Sequence, residues 1–287
     1  MKYFASRSKR VIGIARGEFT APAQNVEYLY WDGRNAGDWC SALENADMLI
    51  NFAGKNVNCR YTAANKNAIL SSRVDSTMAL GHAVAACQNP PKVWINSSSA
   101  TIYNASFDQL TTETSTDIGD DFSMNICKEW EETFWGCQCT GMRQVVLRTG
   151  IVLGPAGGAL PTLLNLTRAG LGGRHGDGKQ YCSWIHENDF CRAVEFILMK
   201  GTSTIYNVTS PRPVRNSELT QALRKATGVQ IGIPSPEWLL EIGAVFIRTE
   251  TELVLKSRKV FPQRLLDEGF LFEFDDVNNA LEDLCRN

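Results

Sequence analysis

Val93-Trp94-Ile95-Asn96-Ser97-Ser98-Ser99-Ala100-Thr101-Ile102-Tyr103 carries an apolar run into three serines. Val93 to Ile95 reads as a buried strand of a parallel sheet, because such strands are covered on both faces and need continuous apolar residues. The serines then fall at its carboxyl end, where open α/β sheets place their ligands.

Outward from this strand the pattern repeats. Val11 to Ala15, Val26 to Trp31, Asp47 to Phe52 and Val145 to Gly150 read as further strands, ending at Arg16-Gly17, Asp32-Gly33, Ala53-Gly54 and Gly150. Between them lie helical stretches: the end of a helix in Met1 to Lys9, a short one over Trp39 to Ala46, a long one over Thr62 to Cys87 and one over Phe122 to Phe134 that carries Lys128. Strands alternating with helices predict a parallel sheet with helices on both faces. Pro234 to Pro236 marks a linker. Beyond it, Trp238 to Ile247, Glu250 to Lys256 and Val277 to Leu284 read as short helices, and the alternating Phe270, Phe272 and Phe274 as an extended segment.

With 287 residues, 44% hydrophobic and 21% charged, the composition is that of a globular protein with a substantial core. A net charge of −2 gives no basic patch for nucleic acid or an anionic membrane surface. No apolar run reaches the roughly 20 residues of a membrane span. Nine scattered cysteines predict reduced thiols in the cytoplasm, and neither they nor the three histidines have metal-site spacing.

Ser97-Ser98-Ser99-Ala100-Thr101-Ile102-Tyr103 closely resembles the serine motif of extended short-chain dehydrogenases/reductases, the sugar epimerase and dehydratase group. The third serine is catalytic there, which puts that role on Ser99. The group's Tyr-x-x-x-Lys falls on Met124-Asn125-Ile126-Cys127-Lys128, so the lysine is present and methionine replaces the tyrosine. A narrower resemblance spans Val11 to Leu284. It is carried by Asn51-Phe52-Ala53-Gly54-Lys55-Asn56, Ile69 to Thr77, Cys127-Lys128-Glu129-Trp130-Glu131, Leu147 to Gly154, Gly157-Gly158-Ala159-Leu160, Ser183 to Asp189, Leu255 to Pro262, Leu265 and Gly269-Phe270. These are similar to the atypical epimerase-family proteins that end in a domain of unknown function, often labelled NAD-dependent epimerase/dehydratase or cell-division inhibitor. That branch generally lacks the tyrosine, so Met124 is in keeping with it.

The resemblance implies a Rossmann-like sheet and a smaller C-terminal lobe. Residues 1–153, with 184–205 returning, would form the NAD(P)-binding domain, 154–183 and 206–235 the substrate-side lobe, and 236–287 the C-terminal domain. One part of such a fold is not found. No G-x-G-x-x-G precedes the first strand, and the chain begins near the end of the helix that this turn would open. The expected sheet therefore lacks its first strand and exposes two strand edges. Either the reading frame starts further upstream or the sheet is incomplete.

The resemblance sets Asn51, Phe52, Ala53, Gly54, Ser97, Ser98 and Lys128 against a dinucleotide. Arg16, following a strand where NAD-preferring folds place an acid, suits a 2′-phosphate and makes NADP the expected cofactor, with NAD the alternative. Asp32 reads as an adenine contact or as turn chemistry, Arg73 as a cofactor-facing or a solvated helix arginine. Thr149, Gly150 and Ile151 read as the nicotinamide side or as strand-end packing. Tyr103, Trp184 and His186 are the substrate-side candidates. For His186 a structural tie between lobes is the other reading, with Asn188 or Asp189 capping the helix from Phe190. The expected function is an NADP-linked oxidoreductase or epimerase acting on an unnamed small molecule, as a monomer or homodimer. The alternative is a non-catalytic dinucleotide sensor or interaction protein.

Overall fold

Short apolar runs ending in glycine or a polar turn become strands in the computed structural model, which describes all residues except 18, 138, 140, 237–255 and 287. The chain divides into two units. The first comprises Met1–Val57, Lys66–Ser97 and Lys128–Val146, and the second Asn58–Asn65, Ser98–Cys127 and Leu147–Asn287.

The first unit opens with helix α1 (Lys2–Ala5) and strands β1 (Val11–Ala15) and β2 (Val26–Tyr30), which pair in parallel from Val11↔Val26 to Ala15↔Tyr30. Strand β3 (Met48–Asn51) is followed by the long helix α2 (Ala63–Ala85) and by β4 (Val93–Ser99), the serine strand. β3 and β4 are parallel, with Met48 opposite Val93 and Asn51 opposite Asn96. Helix α3 (Phe122–Gly136) leads to β5 (Arg143–Thr149), which lies beside β4. Ile69, Leu80 and Val84 of α2, Trp94 and Ile95 of β4, Phe134 of α3 and Val145 of β5 are buried here. The Trp94 and Phe134 rings meet edge to face at 4.9 Å, the arrangement their quadrupoles favour. Among the described residues β1 pairs only with β2, and β3 only with β4 and its sheet. Among the described residues the parallel strands therefore form two separate sheets.

In the second unit β6 (Ile151–Gly154) lies between β7 (Gly157–Gly158) and β9 (Trp184–His186), while helix α4 (Leu160–Leu166) follows β7. Strand β8 (Tyr181–Cys182) precedes β9, helix α5 (Glu187–Met199) follows it, and β10 (Ile205–Val208) runs beside the end of β5. β11 (Val214–Arg215) pairs antiparallel with β8 and leads into helix α6 (Asn216–Thr227). Helices α7 (Gln263–Asp267) and α8 (Val277–Arg286) complete the chain. Leu219 and Leu223 of α6 and Val277, Leu281 and Leu284 of α8 share one core cluster with Leu153, Leu160, Leu164 and Trp184.

The C-terminal segment is stitched in by polar groups. Ser257 Oγ accepts the Tyr181 N–H at 3.0 Å and donates to Ser106 O at 2.7 Å. Ser183 Oγ donates to Arg258 O at 2.8 Å and accepts the Val260 N–H at 2.9 Å. Asp189, wholly buried, accepts the Glu273 N–H at 3.0 Å, the Phe274 N–H at 2.8 Å and Arg192 Nη1 at 2.5 Å.

Some sequence expectations change. Trp39 to Ala46 forms a 3₁₀ turn over Asp38–Leu43, and the alternating phenylalanines form no strand; Phe270 and Phe272 instead pack edge to face. Helix α5 starts at Glu187 and is capped by the His186 side chain rather than by Asn188 or Asp189, because Asp189 is spent on the backbone of the C-terminal segment. The helix read at Trp238 to Ile247 and all but the last residue of that read at Glu250 to Lys256 lie outside the described residues, and α6 was not among those expected.

Replacing Asp189 with alanine removes the acceptor shared by the Glu273 and Phe274 N–H groups and leaves Arg192 its pair with Glu273. We expect a loss of about 3 kcal/mol in urea unfolding; a change within about 0.5 kcal/mol, typical of a surface site, would show that the clamp contributes little.

Candidate active site

The carboxyl ends of β3 and β4 are tied together by one buried carboxamide. Asn51 Nδ2 donates to Asn96 Oδ1 at 2.8 Å and to Thr77 Oγ1 at 3.1 Å, while its Oδ1 accepts the Ala53 N–H at 2.9 Å. Thr77 Oγ1 also accepts Trp130 Nε1 at 3.0 Å, so β3, β4, α2 and α3 meet at one polar knot. Asn51 thus shapes the Phe52-Ala53-Gly54 turn from below. Arg73 Nη1 holds the turn from α2, donating to Lys55 O at 3.1 Å and Ile69 O at 2.9 Å, with its guanidinium 5.0 Å from the Trp130 ring. The Phe52 ring is exposed beside it.

At the ends of β1 and β2 the two candidates differ. Arg16 is exposed and has no hydrogen bond or ion pair among the described residues. Asp32 is used by its own turn, accepting the Asn35 N–H at 2.9 Å, the Arg34 N–H at 2.8 Å and Asn35 Nδ2 at 2.6 Å. These donors, the Asn35 N–H foremost, hold its carboxyl below the usual carboxylate range. The neighbouring Arg34 Nε pairs with Asp75 of α2 at 2.9 Å.

Ser97 is half-buried and Ser98 buried. Ser99 Oγ caps the short turn Ala100–Ile102, accepting the Thr101 N–H at 3.1 Å and donating to Thr101 Oγ1 at 2.8 Å. With its proton given to Thr101, the hydroxyl retains one lone pair for a ligand. On α3, Met124 and Lys128 lie four residues apart and so share a face, and Asp121 immediately precedes the helix. Asp121 Oδ1 accepts the Met124 N–H at 3.1 Å and its other oxygen pairs with Lys256. Met124 is buried, and Gly119 makes room for it, since a Cβ there would lie 2.0 Å from its sulfur. Lys128 is half-buried and has no hydrogen bond or ion pair among the described residues. A half-buried ammonium without a counter-charge is costly unless something joins it.

Tyr103 is fully buried, with its hydroxyl donating to Asn207 Oδ1 at 2.8 Å and accepting Arg148 Nη1 at 3.0 Å. Burial raises its pKa even though Arg148 opposes this. Gly150 N donates to Val208 O at 3.2 Å and Ile151 N to Ser183 O at 2.8 Å, so both residues stitch strand ends. Among the described residues Thr149 Oγ1 reaches only Leu147 O, at 3.4 Å. Trp184 is fully buried, with Nε1 on Arg212 O at 3.0 Å. His186 Nδ1 accepts the Asn188 N–H at 3.0 Å, its Nε2 lies 3.2 Å from Asp283 Oδ2 and its ring stacks on Phe274 at 3.9 Å. It ties β9 to α8, the structural alternative for this residue.

Sequence reasoning passed over Asn96, Thr77 and Trp130. The opposite polar residues on neighbouring strands were the available signal for Asn96, but nothing in spacing announces the other two. It also passed over His175, which lies between Leu171 and β8 among Gly172, Gly173, Gly176 and Gly178. Asn216 Oδ1 accepts the His175 N–H at 2.8 Å, which turns its Nδ2 toward His175 Nδ1 at 3.2 Å. The imidazole therefore carries its proton on Nε2. Burial lowers its pKa.

Thr77→Val leaves Asn51 Nδ2 and Trp130 Nε1 short of their shared acceptor and is expected to cost about 2 kcal/mol in chemical unfolding; an unchanged midpoint would show that the knot relaxes without cost. His175 gives a pH signature. Its folded pKa lies below the unfolded one, so the stability it contributes is complete above about pH 6.5 and falls as pH drops below that value. His175→Gln should flatten this part of the stability profile between about pH 7.5 and 5; an equal slope in both proteins would contradict the assignment.

The sequence matches the model of the NAD dependent epimerase/dehydratase family over residues 1–209 and that of a domain of unknown function (DUF1731) over 235–284. An epimerase family protein of Mycobacterium bovis is 34% identical over 265 residues, covering 91% of this chain and 85% of the relative. The human epimerase family protein SDR39U1 is 32% identical over 262 residues, covering 89% of this chain and 86% of the relative. A crystal structure of the human protein, isoform 2 with NADPH, superimposes with a TM-score of 0.87 at 28% identity, over 100% of this chain and 94% of that one. The fold is Rossmann-like, and this chain belongs to the NAD-dependent epimerase/dehydratase family.

Proposed function

We propose that the protein binds NAD(P), with NADP preferred, and works as an oxidoreductase or epimerase of the atypical extended short-chain dehydrogenase/reductase class on a small molecule. The observation that carries this is Lys128. Its half-buried ammonium has no partner among the described residues and stands one helical turn after Met124, where the family's lysine is expected. The human relative whose structure contains NADPH supports the same cofactor.

The residues present fit a dinucleotide in the first unit. Lys128 would hold ribose hydroxyls and add positive field. The pinned Asn51–Gly54 turn and the exposed Phe52 would border the adenosine half. Arg16, free of other partners among the described residues, would take a 2′-phosphate through its planar fork. The bound dinucleotide supplies the hydride chemistry. Ser99 would accept a hydrogen bond from a substrate hydroxyl, or donate one after exchanging its bond with Thr101. Met124 has no proton to move, so proton transfer falls to water or to a substrate group. Nine cysteines, all of them free thiols, support a reducing, cytoplasmic setting.

Met124 also favours a second reading, a dinucleotide-responsive protein without turnover. Calorimetric titration separates the cofactor part from the rest. NADPH should bind more tightly than NADH, Lys128→Ala should weaken both by about tenfold, and Arg16→Ala should weaken NADPH alone by about tenfold. No binding of either dinucleotide would overturn the proposal. NADPH binding without conversion of any carbonyl or hydroxyl compound in a metabolite extract would favour the second reading.

A further inference from the structure

Two turns of the first unit rest on the same stretch of α2. After β3, Lys55 N donates to Ser72 Oγ at 2.8 Å, and Arg73 Nη1 donates to Lys55 O at 3.1 Å. After β2, Arg34 Nε pairs with Asp75 Oδ2 at 2.9 Å, and Arg34 Nη2 donates to Ser71 Oγ at 3.3 Å. Ser71 to Asp75 span little more than one helical turn, so the Arg34 turn and the Phe52-Ala53-Gly54 turn are neighbours. The ends of β1 and β2 are adjacent too, since Trp31 N donates to Ala15 O at 3.0 Å. Arg16, Arg34 and Phe52 are therefore grouped at one end of this unit.

The two arginines are held differently. Arg16 is exposed and has no hydrogen bond or ion pair among the described residues. Arg34 is fixed twice. Its N–H donates to Asp32 Oδ1 at 2.8 Å, and its guanidinium is gripped along one edge, through Nε and Nη2. Two bonds on one edge set the plane of the group and leave its faces to other contacts. The side chain is still 61% exposed. An exposed pair of this kind adds about 1 kcal/mol or less to stability, and Asp75 offsets the charge that a phosphate would need. What remains is a flat cation whose orientation is already set. Such a group stacks on the face of an aromatic base, and little further ordering is lost when it does.

We infer that Arg34 lays its guanidinium on the adenine ring of the dinucleotide, and that Asp75 and Ser71 set the plane for this contact. The inference rests on the proposed reading of the first unit as the NAD(P) site, and it adds recognition of the base. The adenosine half is then divided between two arginines. Arg16 takes the 2′-phosphate and discriminates NADP from NAD; Arg34 takes the base and binds both alike. A lysine at position 34 keeps the charge and loses the plane.

The test is calorimetric titration of the full chain with NADPH and with NADH, in the unaltered protein and in Arg34→Ala, Arg34→Lys and Asp75→Asn. Arg34→Ala and Arg34→Lys are each expected to weaken both dinucleotides by one common factor of about fivefold. Asp75→Asn, which frees the plane, should weaken both by about twofold. Arg34→Tyr, which restores a flat face without charge, should return binding to within about twofold of the unaltered protein. Melting temperatures confirm that the variants remain folded, and one that melts early is replaced by Arg34→Met. Unchanged binding in Arg34→Ala would overturn the inference. So would full binding in Arg34→Lys, which would make charge the cause, or a loss confined to NADPH, which would place Arg34 on the 2′-phosphate. In each of these cases the unaltered protein still binds the dinucleotide and the proposed function stands. No binding of either dinucleotide by the unaltered protein would overturn the proposed function and this inference with it.

Discussion

The Asn51 carboxamide is the constraint on which the first unit depends. It donates twice and accepts once, and each bond reaches a different part of the chain: Asn96 on β4, Thr77 on α2 and Ala53 in the turn it begins. A buried amide left short of a partner costs about 1–3 kcal/mol, so β3, β4 and α2 are held to one mutual arrangement. Trp130 extends the arrangement to α3 through Thr77, and α3 carries Lys128 two residues before that tryptophan. The Asn51–Gly54 turn and the helix bearing Lys128 are therefore set by one polar knot.

The chemistry is unusual at one position. Family enzymes with Tyr-x-x-x-Lys use the lysine cation to lower the tyrosine pKa. Here methionine stands in that place, packed into a space that Gly119 leaves open. The lysine keeps its position and gains no protein partner among the described residues. Under the proposed function, this combination would separate two roles that are coupled elsewhere: holding the nucleotide and moving the proton. The Ser99 hydroxyl, with its proton engaged by Thr101, fits a positioning role better than acid catalysis.

Much of the fold was legible because burial on both faces leaves continuous apolar runs. The strands at Val11, Val26, Met48, Val93 and Val145 were all expected from that pattern, as was the long helix from its repeating apolar residues. The candidate site was legible only in outline. Spacing put Lys128 and Met124 on one helix, as found, but it could not tell that Asp32 would be consumed by its own turn or that Trp184 would enter the core. The C-terminal region was the least legible. Its attachment depends on serine hydroxyls and on the Asp189 carboxylate meeting backbone groups more than sixty residues away, and such pairings leave no periodic trace. The same is true of Arg34, which meets Ser71 and Asp75 of α2 from a distant part of the chain.

Hydrogen–deuterium exchange with and without NADPH tests the central claim most directly, because it reads where the nucleotide lies and needs no substrate. Protection is predicted at residues 15–17, 51–55 and 97–99 and in the turn of α3 around Lys128, with residues 181–186 and 273–284 unchanged. Protection confined to the second unit, or none at all under saturating NADPH, would contradict the assignment of the strand ends and Lys128 as the dinucleotide site.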